Sequence, residues 1–266
     1  MSRLLSEVKL FIFDLETTGI DPNEDQIVEI GAVYWENNAR IGSRYAMRVK
    51  PSIPIAPEAT AVHGISADDL VDCPDFGEVG TRVSHHFTGE ALGIDAPIAC
   101  GYNAMVFDLP MINAEFARHD LAFRVDGTRL IDPFVFISWH LRHLPKRNLT
   151  AMAGLAGFSL VDAHSAAADT EATGHVVNYL VGIGVMPSHL DEALSEQARL
   201  RQILEVESAK FGYHLYADRT SSEVTIGFGK HIGTPLTQVP KSYLKYCLDN
   251  FDGLPDSVIA EFSKLI

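Results

Sequence analysis

Cysteine is scarce in this chain, with three among 266 residues, Cys73, Cys100 and Cys247, and no CxxC spacing. An odd, dispersed set excludes a disulfide framework and a thiolate zinc site, and it fits a reducing cytoplasm. Long apolar runs are missing too. No stretch approaches the roughly 18 residues of a membrane-spanning helix. The opening "MSRLLSEVKLFIFDLE" meets charges before its apolar stretch lengthens, so a soluble protein is expected. Basic residues are few, 21 Lys and Arg against 35 Asp and Glu, for a formal charge of −14. A field of that sign repels polyanions at long range. A phosphate-bearing partner would therefore need local cations or bound metal to reverse it. Internal repeats and low-complexity segments are absent as well. What is present is a hydrophobic content of 47%, enough for one large domain or for a medium domain with a small companion.

From Val8 to Glu16 the chain is apolar on both faces, which predicts a central strand. Segments 26–36 and 40–49 are rich in β-formers and are joined by Asn37-Asn38, so they continue it as an antiparallel meander. After Pro54 and Pro57 the character changes. Short helices are expected in 66–88, a strand in 97–102, and an amphipathic helix in 107–119 with Pro110 in its first turn. A strand at 128–132, helical stretches at 133–144 and 149–157, and an alanine-rich helix at 165–184 follow. A meander and then alternating strands and helices define an α/β mixed sheet. Residues 1–186 form this domain, 187–208 a polar connecting helix, and 209–266 a small domain with two short strands and two helices.

The acids in "FIFDLETTGI" (11–20) lie inside the first strand. Residues two apart on a strand share a face, so Asp14 and Glu16 present their carboxylates together. Paired anions there cost several kcal/mol unless protonated or matched by cations. Alternatively, the strand ends at Phe13 and the acids lie in a solvated loop. Two further segments bear on the choice. Asp108 closes "GYNAMVFD" (101–108) at the start of a helix, where an anion is favoured. In "HSAAAD" (164–169), three alanines between His164 and Asp169 let a helix pack closely on the sheet, carrying Asp169 to the same place. Four carboxylates without a thiolate suit Mg²⁺ or Mn²⁺. Two such ions about 3.5–4 Å apart can clamp both oxygens of a phosphoryl displacement. An imidazole with an ordinary pKa near 6.5 can take the proton of the attacking water, which gives His164 the part of general base.

The three segments, in this order and at these separations over about 1–184, resemble the motifs of the DnaQ-like exonuclease family of the DEDDh type. The resemblance implies a ribonuclease H-like fold: a mixed five-stranded sheet flanked by helices, here followed by a small α+β domain. It implies hydrolysis of phosphodiester bonds from a 3′ end by two divalent ions, Mg²⁺ or Mn²⁺, with release of nucleoside 5′-monophosphates. By motif, Asp14, Glu16, Asp108 and Asp169 would hold the metals and His164 would be the base. Thr17, Thr18 and Gly19 would shape the pocket of the terminal nucleotide through backbone N–H and hydroxyl groups. "AVHGI" (61–65) would place Val62 or His63 near its sugar and base. The second motif carries one residue more between Asn103 and Phe107 than many family members have, which bears on a substrate contact by Asn103 but leaves Asp108 in place. The tail "IGFGKHIGTPLTQVPKSYLKYCLDN" (226–250) resembles the small C-terminal domain of exodeoxyribonuclease X-like proteins, and this favours DNA.

Two basic groups have alternative readings. Lys230, His231, Lys241 and Lys245 with Tyr243 and Tyr246 either form a face that grips a strand by charge and stacking, or comprise core tyrosines with a solvated lysine rim. Arg142, His143, Lys146 and Arg147 either guide backbone phosphates or solvate a helix end. The expected partner is nucleic acid with a free 3′ end, with no membrane. Among protein partners a homodimer and a polymerase or repair complex stay open. Rival functions are RNA trimming on the same fold, a catalytically silent interaction module, and a haloacid-dehalogenase-like phosphatase. The phosphatase would want Asp as its second acid and leaves "HSAAAD" without a task.

Overall fold

The computed structural model describes residues 3–160, 165–218 and 223–266. The chain divides into two compact units, Met1–Val135 with Asn148–Gln197, and Phe136–Arg147 with Ala198–Ile266.

The first unit is built on a five-stranded mixed sheet. In chain order its strands are β1 (Leu10–Thr17), β2 (Ile27–Glu36), β3 (Ala39–Arg48), β4 (Ile98–Cys100) and β5 (Leu130–Ile131), and across the sheet they run β3-β2-β1-β4-β5. β1 pairs antiparallel with β2 and parallel with β4, so it is the central strand. The β2–β3 turn places Asn37 and Asn38 at φ 52° and 62°, the left-handed region that asparagine tolerates better than most residues. Helices α1 (Pro57–His63), α2 (Phe76–Thr88), α3 (Asp108–Arg118), α4 (Pro133–His140), α5 (Leu149–Leu155) and α6 (Ala166–Gly182) fill the connections.

Alternation along β1 sorts its side chains between two faces. Phe11, Phe13 and Leu15 enter a core with Val79, Val83 and Phe87 of α2 and with Met111, Ile112 and Phe116 of α3. The opposite face carries Leu10, Ile12, Asp14 and Glu16, and α6 packs against β1 and β2. Asp14 is paired in register with Gly31. A Cβ on Gly31 would stand closer than 3.0 Å to the backbone of Ala166 and Ala167. Glycine in β2 and alanine at the start of α6 thus let a helix backbone lie directly on the strand beside Asp14. The sheet is an α/β ribonuclease H-like arrangement, and the acids stand at the carboxyl end of its central strand, beside the change from antiparallel to parallel pairing.

The second unit has its own core, in which Phe211, Leu215, Ile226, Leu244, Val258 and Phe262 are all buried. It holds the antiparallel pair β6 (Leu215–Ala217) and β7 (Val224–Ile226), the helices α8 (Lys241–Asn250) and α9 (Asp256–Ser263), and the later part of α7 (Leu190–Phe211). No described helix is long and apolar enough to cross a membrane. Cys73, Cys100 and Cys247 are free thiols.

Candidate active site

Among the described residues, one group of three acids can hold a metal ion. One carboxylate oxygen from each of Asp14, Glu16 and Asp169 lies within 4.8 Å of the others. Two come from alternate positions of β1, and the third is delivered by the first turn of α6 through its close seat on Gly31. Asp108 is 3% exposed at the start of α3, and its Oδ1 accepts a 3.0 Å hydrogen bond from the Leu15 amide, on the strand between the two β1 acids. It stands beside the three rather than among them.

The electrostatics follow from burial and crowding. Burial, then the charges of Asp108, Glu16 and Asp169, raise Asp14 far above the usual carboxylate range. Burial, then the charges of Asp169, Glu29 and Asp108, push Glu16 from 4.5 to about 8. Burial likewise raises Asp108 to about 7, although hydrogen bonds from its own amide and from Leu15 oppose the shift. Burial and crowding that raise carboxyl pKa values in this way favour a cation among the acids. The donors at the three-acid group are carboxylates alone, and this donor set fits a hard divalent ion.

Glu29, which no sequence motif marks, adds to this crowding. It lies directly across from Glu16 in the β1–β2 register, is 8% exposed, and has Arg48 at 3.4 Å. Asp132 is a second residue without a motif. Fully buried after β5, its carboxylate accepts the amides of Asn103 at 2.9 Å, Met105 at 3.0 Å and Phe134 at 2.9 Å. Its own amide donates to Gln197 Oε1 at 2.7 Å, and Gln197 Nε2 donates to the Leu130 carbonyl. This network fixes the loop that leads to Asp108. Only a pattern of buried acids at strand ends could have hinted at it.

The residues expected around the substrate take more varied positions. Thr17 and Thr18 are buried, and their hydroxyls donate within the loop, Thr17 to the Gly19 carbonyl and Thr18 to Asp25 Oδ1 at 2.9 Å. Both bonds hold the loop's shape, and the Thr17 oxygen keeps its acceptor lone pairs. A Cβ on Gly19 would collide with the Asp25 carboxylate, so glycine is needed for that closure. His63 Nδ1 accepts the Ile65 amide at 3.0 Å, which leaves Nε2 as the protonated nitrogen, 3.2 Å from the Thr17 carbonyl. Burial lowers its pKa, and the ring is a neutral brace between α1 and the end of β1. Its neighbour Val62 is 56% exposed. Asn103 sits at φ 62° and its amide donates to Asp132 Oδ1. His164 lies outside the described residues.

Within the basic cluster at 142–147, Arg142 is enclosed, while His143 and Lys146 are exposed. Arg142 is 7% exposed, lies between the rings of Trp139 at 4.3 Å and Tyr216 at 4.6 Å, and pairs with Glu207 at 3.0 Å. It braces the second unit and is not available to phosphate.

Residues 11–177 match the family model of the RNase_T exonucleases, and the chain belongs to that family. It is a DnaQ-like exonuclease of the DEDDh type, a nuclease hydrolase. It is 27% identical over 214 residues to the DNA polymerase III subunit epsilon of Haemophilus influenzae, covering 78% of this chain and 80% of that one. The fold is shared with E. coli Exonuclease I, solved with a dT13 oligonucleotide, at a TM-score of 0.57 and 16% identity, over 93% of this chain and 61% of that one. It is also shared with the nuclease domain of 3′hExo, a DEDDh family member bound to rAMP, at a TM-score of 0.56 and 16% identity, over 69% of this chain and 96% of that one.

Proposed function

We propose that the chain removes nucleoside 5′-monophosphates from the 3′ end of DNA with the help of two Mg²⁺ or Mn²⁺ ions. The observation that carries this reading is the meeting of Asp14, Glu16 and Asp169 within 4.8 Å, from segments more than 150 residues apart, in a pocket that raises carboxyl pKa values. Asp14, Glu16 and Asp169 would hold the ions, and Asp108, which accepts the Leu15 amide, would complete the set. When bound, such ions neutralise the scissile phosphate and stabilise the attacking and leaving oxygens of an in-line displacement.

The chain's own groups do the remaining work. His164, assigned by its motif, takes a proton from the water that adds to phosphorus, while the bond to the 3′ oxygen of the penultimate nucleotide breaks. The buried, braced loop of Thr17 to Gly19 and the His63 anchor hold the wall of the pocket, and exposed Val62 offers an apolar surface to the terminal base. DNA is favoured because relatives at 27% identity are subunits of a DNA polymerase, which also makes a polymerase the favoured protein partner. Residues 1–186 serve as the nuclease, 187–208 as a connecting helix, and 209–266 as an accessory domain of the exodeoxyribonuclease X-like kind.

The test is digestion of 5′-labelled single- and double-stranded DNA and RNA with Mg²⁺. A ladder shortening one nucleotide at a time from the 3′ end, faster on DNA, is expected. Shortening from the 5′ end, or no Mg²⁺-dependent cleavage, would overturn the reading, and faster RNA loss would move the substrate to RNA.

A further inference from the structure

The formal charge is divided unevenly between the two units. The second unit carries eleven Lys and Arg against eight Asp and Glu, a formal +3, which leaves the first with ten against twenty-seven, −17. The unit that holds the metal-binding acids therefore repels a polyanion wherever cations do not intervene, and the second unit does not.

The second unit also has a concavity of about 450 Å³, lined by Lys230, His231, Pro240, Ser242, Tyr243 and Tyr246. Its rings form a ladder. His231 meets Tyr243 edge-on with centroids 4.5 Å apart, and Tyr243 and Tyr246 lie 25° from parallel at 6.4 Å. Tyr243 is anchored from below. It packs on the unit's core, and its hydroxyl sits where Gly229, at φ 64°, leaves no Cβ. Tyr246, one helical turn further along α8, is 52% exposed. Lys230 Nζ stands 5.2 Å from the Tyr243 ring, and Lys241 and Lys245 are exposed on α8. The Nε2 of His231 is buried and has no hydrogen-bond partner among the described residues.

These features divide what the sequence left undecided: Tyr243 belongs to core and pocket together, while Tyr246 is free to stack. A rigid aromatic step, three lysines and a buried imidazole nitrogen in need of a partner match the chemistry of one nucleotide, with its planar base, flanking phosphates and polar edge groups. We propose that this concavity is a second binding site for single-stranded nucleic acid, with a base stacked on Tyr246 and the adjoining phosphates near Lys230, Lys241 and Lys245. The proposal rests on the reading of the chain as a nuclease, since the strand held here is its substrate. The exposed cations of the second unit supply the local attraction that the −17 unit lacks.

The test uses the full chain in EDTA, with fluorescence anisotropy of labelled oligothymidylate and oligouridylate, and compares Tyr246→Ala, Tyr246→Phe and Lys245→Gln with the natural sequence. Hydrolysis of the nitrophenyl ester of thymidine 5′-monophosphate, too short to span two sites, is followed in parallel with Mg²⁺. Tyr246→Ala is expected to weaken oligonucleotide binding about fivefold to a hundredfold, the range that one base–aromatic stack spans. Tyr246→Phe should keep the affinity, Lys245→Gln should lower the salt dependence of binding, and all should hydrolyse the ester at the natural rate. DNA and RNA bind alike if stacking and charge alone operate, and a preference for one identifies the strand it holds. Unchanged affinity in Tyr246→Ala and Lys245→Gln, or binding confined to duplex, overturns the proposal. Failure of every form to hydrolyse the ester would strike the nuclease reading instead.

Discussion

Replacing Gly31 with alanine tests how Asp169 reaches the strand acids. The added methyl would stand within 3.0 Å of the backbone at Ala166 and Ala167, where no flexible side chain can yield. Ordinary carbon contacts need about 3.5–4.0 Å, so the start of α6 must retreat by on the order of 1 Å. Asp169 lies three residues beyond Ala166 in that helix and retreats with it. Overpacking of this kind costs about 1–3 kcal/mol of stability. A catalytic group misplaced by about 1 Å costs on the order of 10²-fold in rate. Initial rates on a 3′-labelled strand at saturating Mg²⁺, with urea unfolding of the same samples, measure both effects. Gly154→Ala in α5 is the control, because a Cβ there meets open space. Its rate should be unchanged, and its stability should rise by about 0.5–1 kcal/mol. Gly31→Ala with full activity would refute the idea that close seating of α6 positions the third acid.

Asp132→Ala strands the buried amide of Met105 and the part-buried amides of Asn103 and Phe134, and should cost about 1–3 kcal/mol for the buried donor with a smaller addition from the other two. Urea unfolding measures it, and wild-type stability would deny the loop network. In metal-free protein, Glu16 has its pKa raised from 4.5 to about 8, so the unfolded chain ionises first as pH rises. Stability from this group should therefore fall between about pH 4.5 and 8 and level off above, and Mg²⁺ should reverse most of the fall. Thermal melts with and without EDTA across that range check it, and a metal-free melting point that rises with pH would contradict it. Asp14→Asn should abolish Mg²⁺-dependent hydrolysis yet raise the metal-free melting temperature at neutral pH, since the unfolded chain ionises this carboxyl more readily than the fold does and asparagine removes that cost. A lower melting temperature with activity intact would remove Asp14 from the site.

The fold and the acids were legible because their signals are periodic. Alternation in 10–17 put Asp14 and Glu16 on one face, and the small residues of "HSAAAD" announced close helix packing. Asp132, Gln197 and Glu29 were not legible, because their roles are fixed by partners distant in sequence and by strand register, which composition does not reveal. Thr17 and Thr18 have loop partners that were hidden for a related reason: nothing in their spacing shows that their hydroxyls donate to Gly19 and Asp25. Arg142 shows the same limit, since a basic run in sequence gave no sign of the Trp139 and Tyr216 rings that enclose its guanidinium.

Calorimetric titration of the metal-free full chain with Mn²⁺ at neutral pH, in two buffers of different ionisation heat, tests the account most directly. Because the pocket holds carboxyl protons at that pH, binding should release about one proton or more, and Asp14→Asn and Asp169→Asn should each lose most of the affinity. Binding that leaves the proton count at zero, or that survives both substitutions, would mean that these carboxylates do not form a metal site.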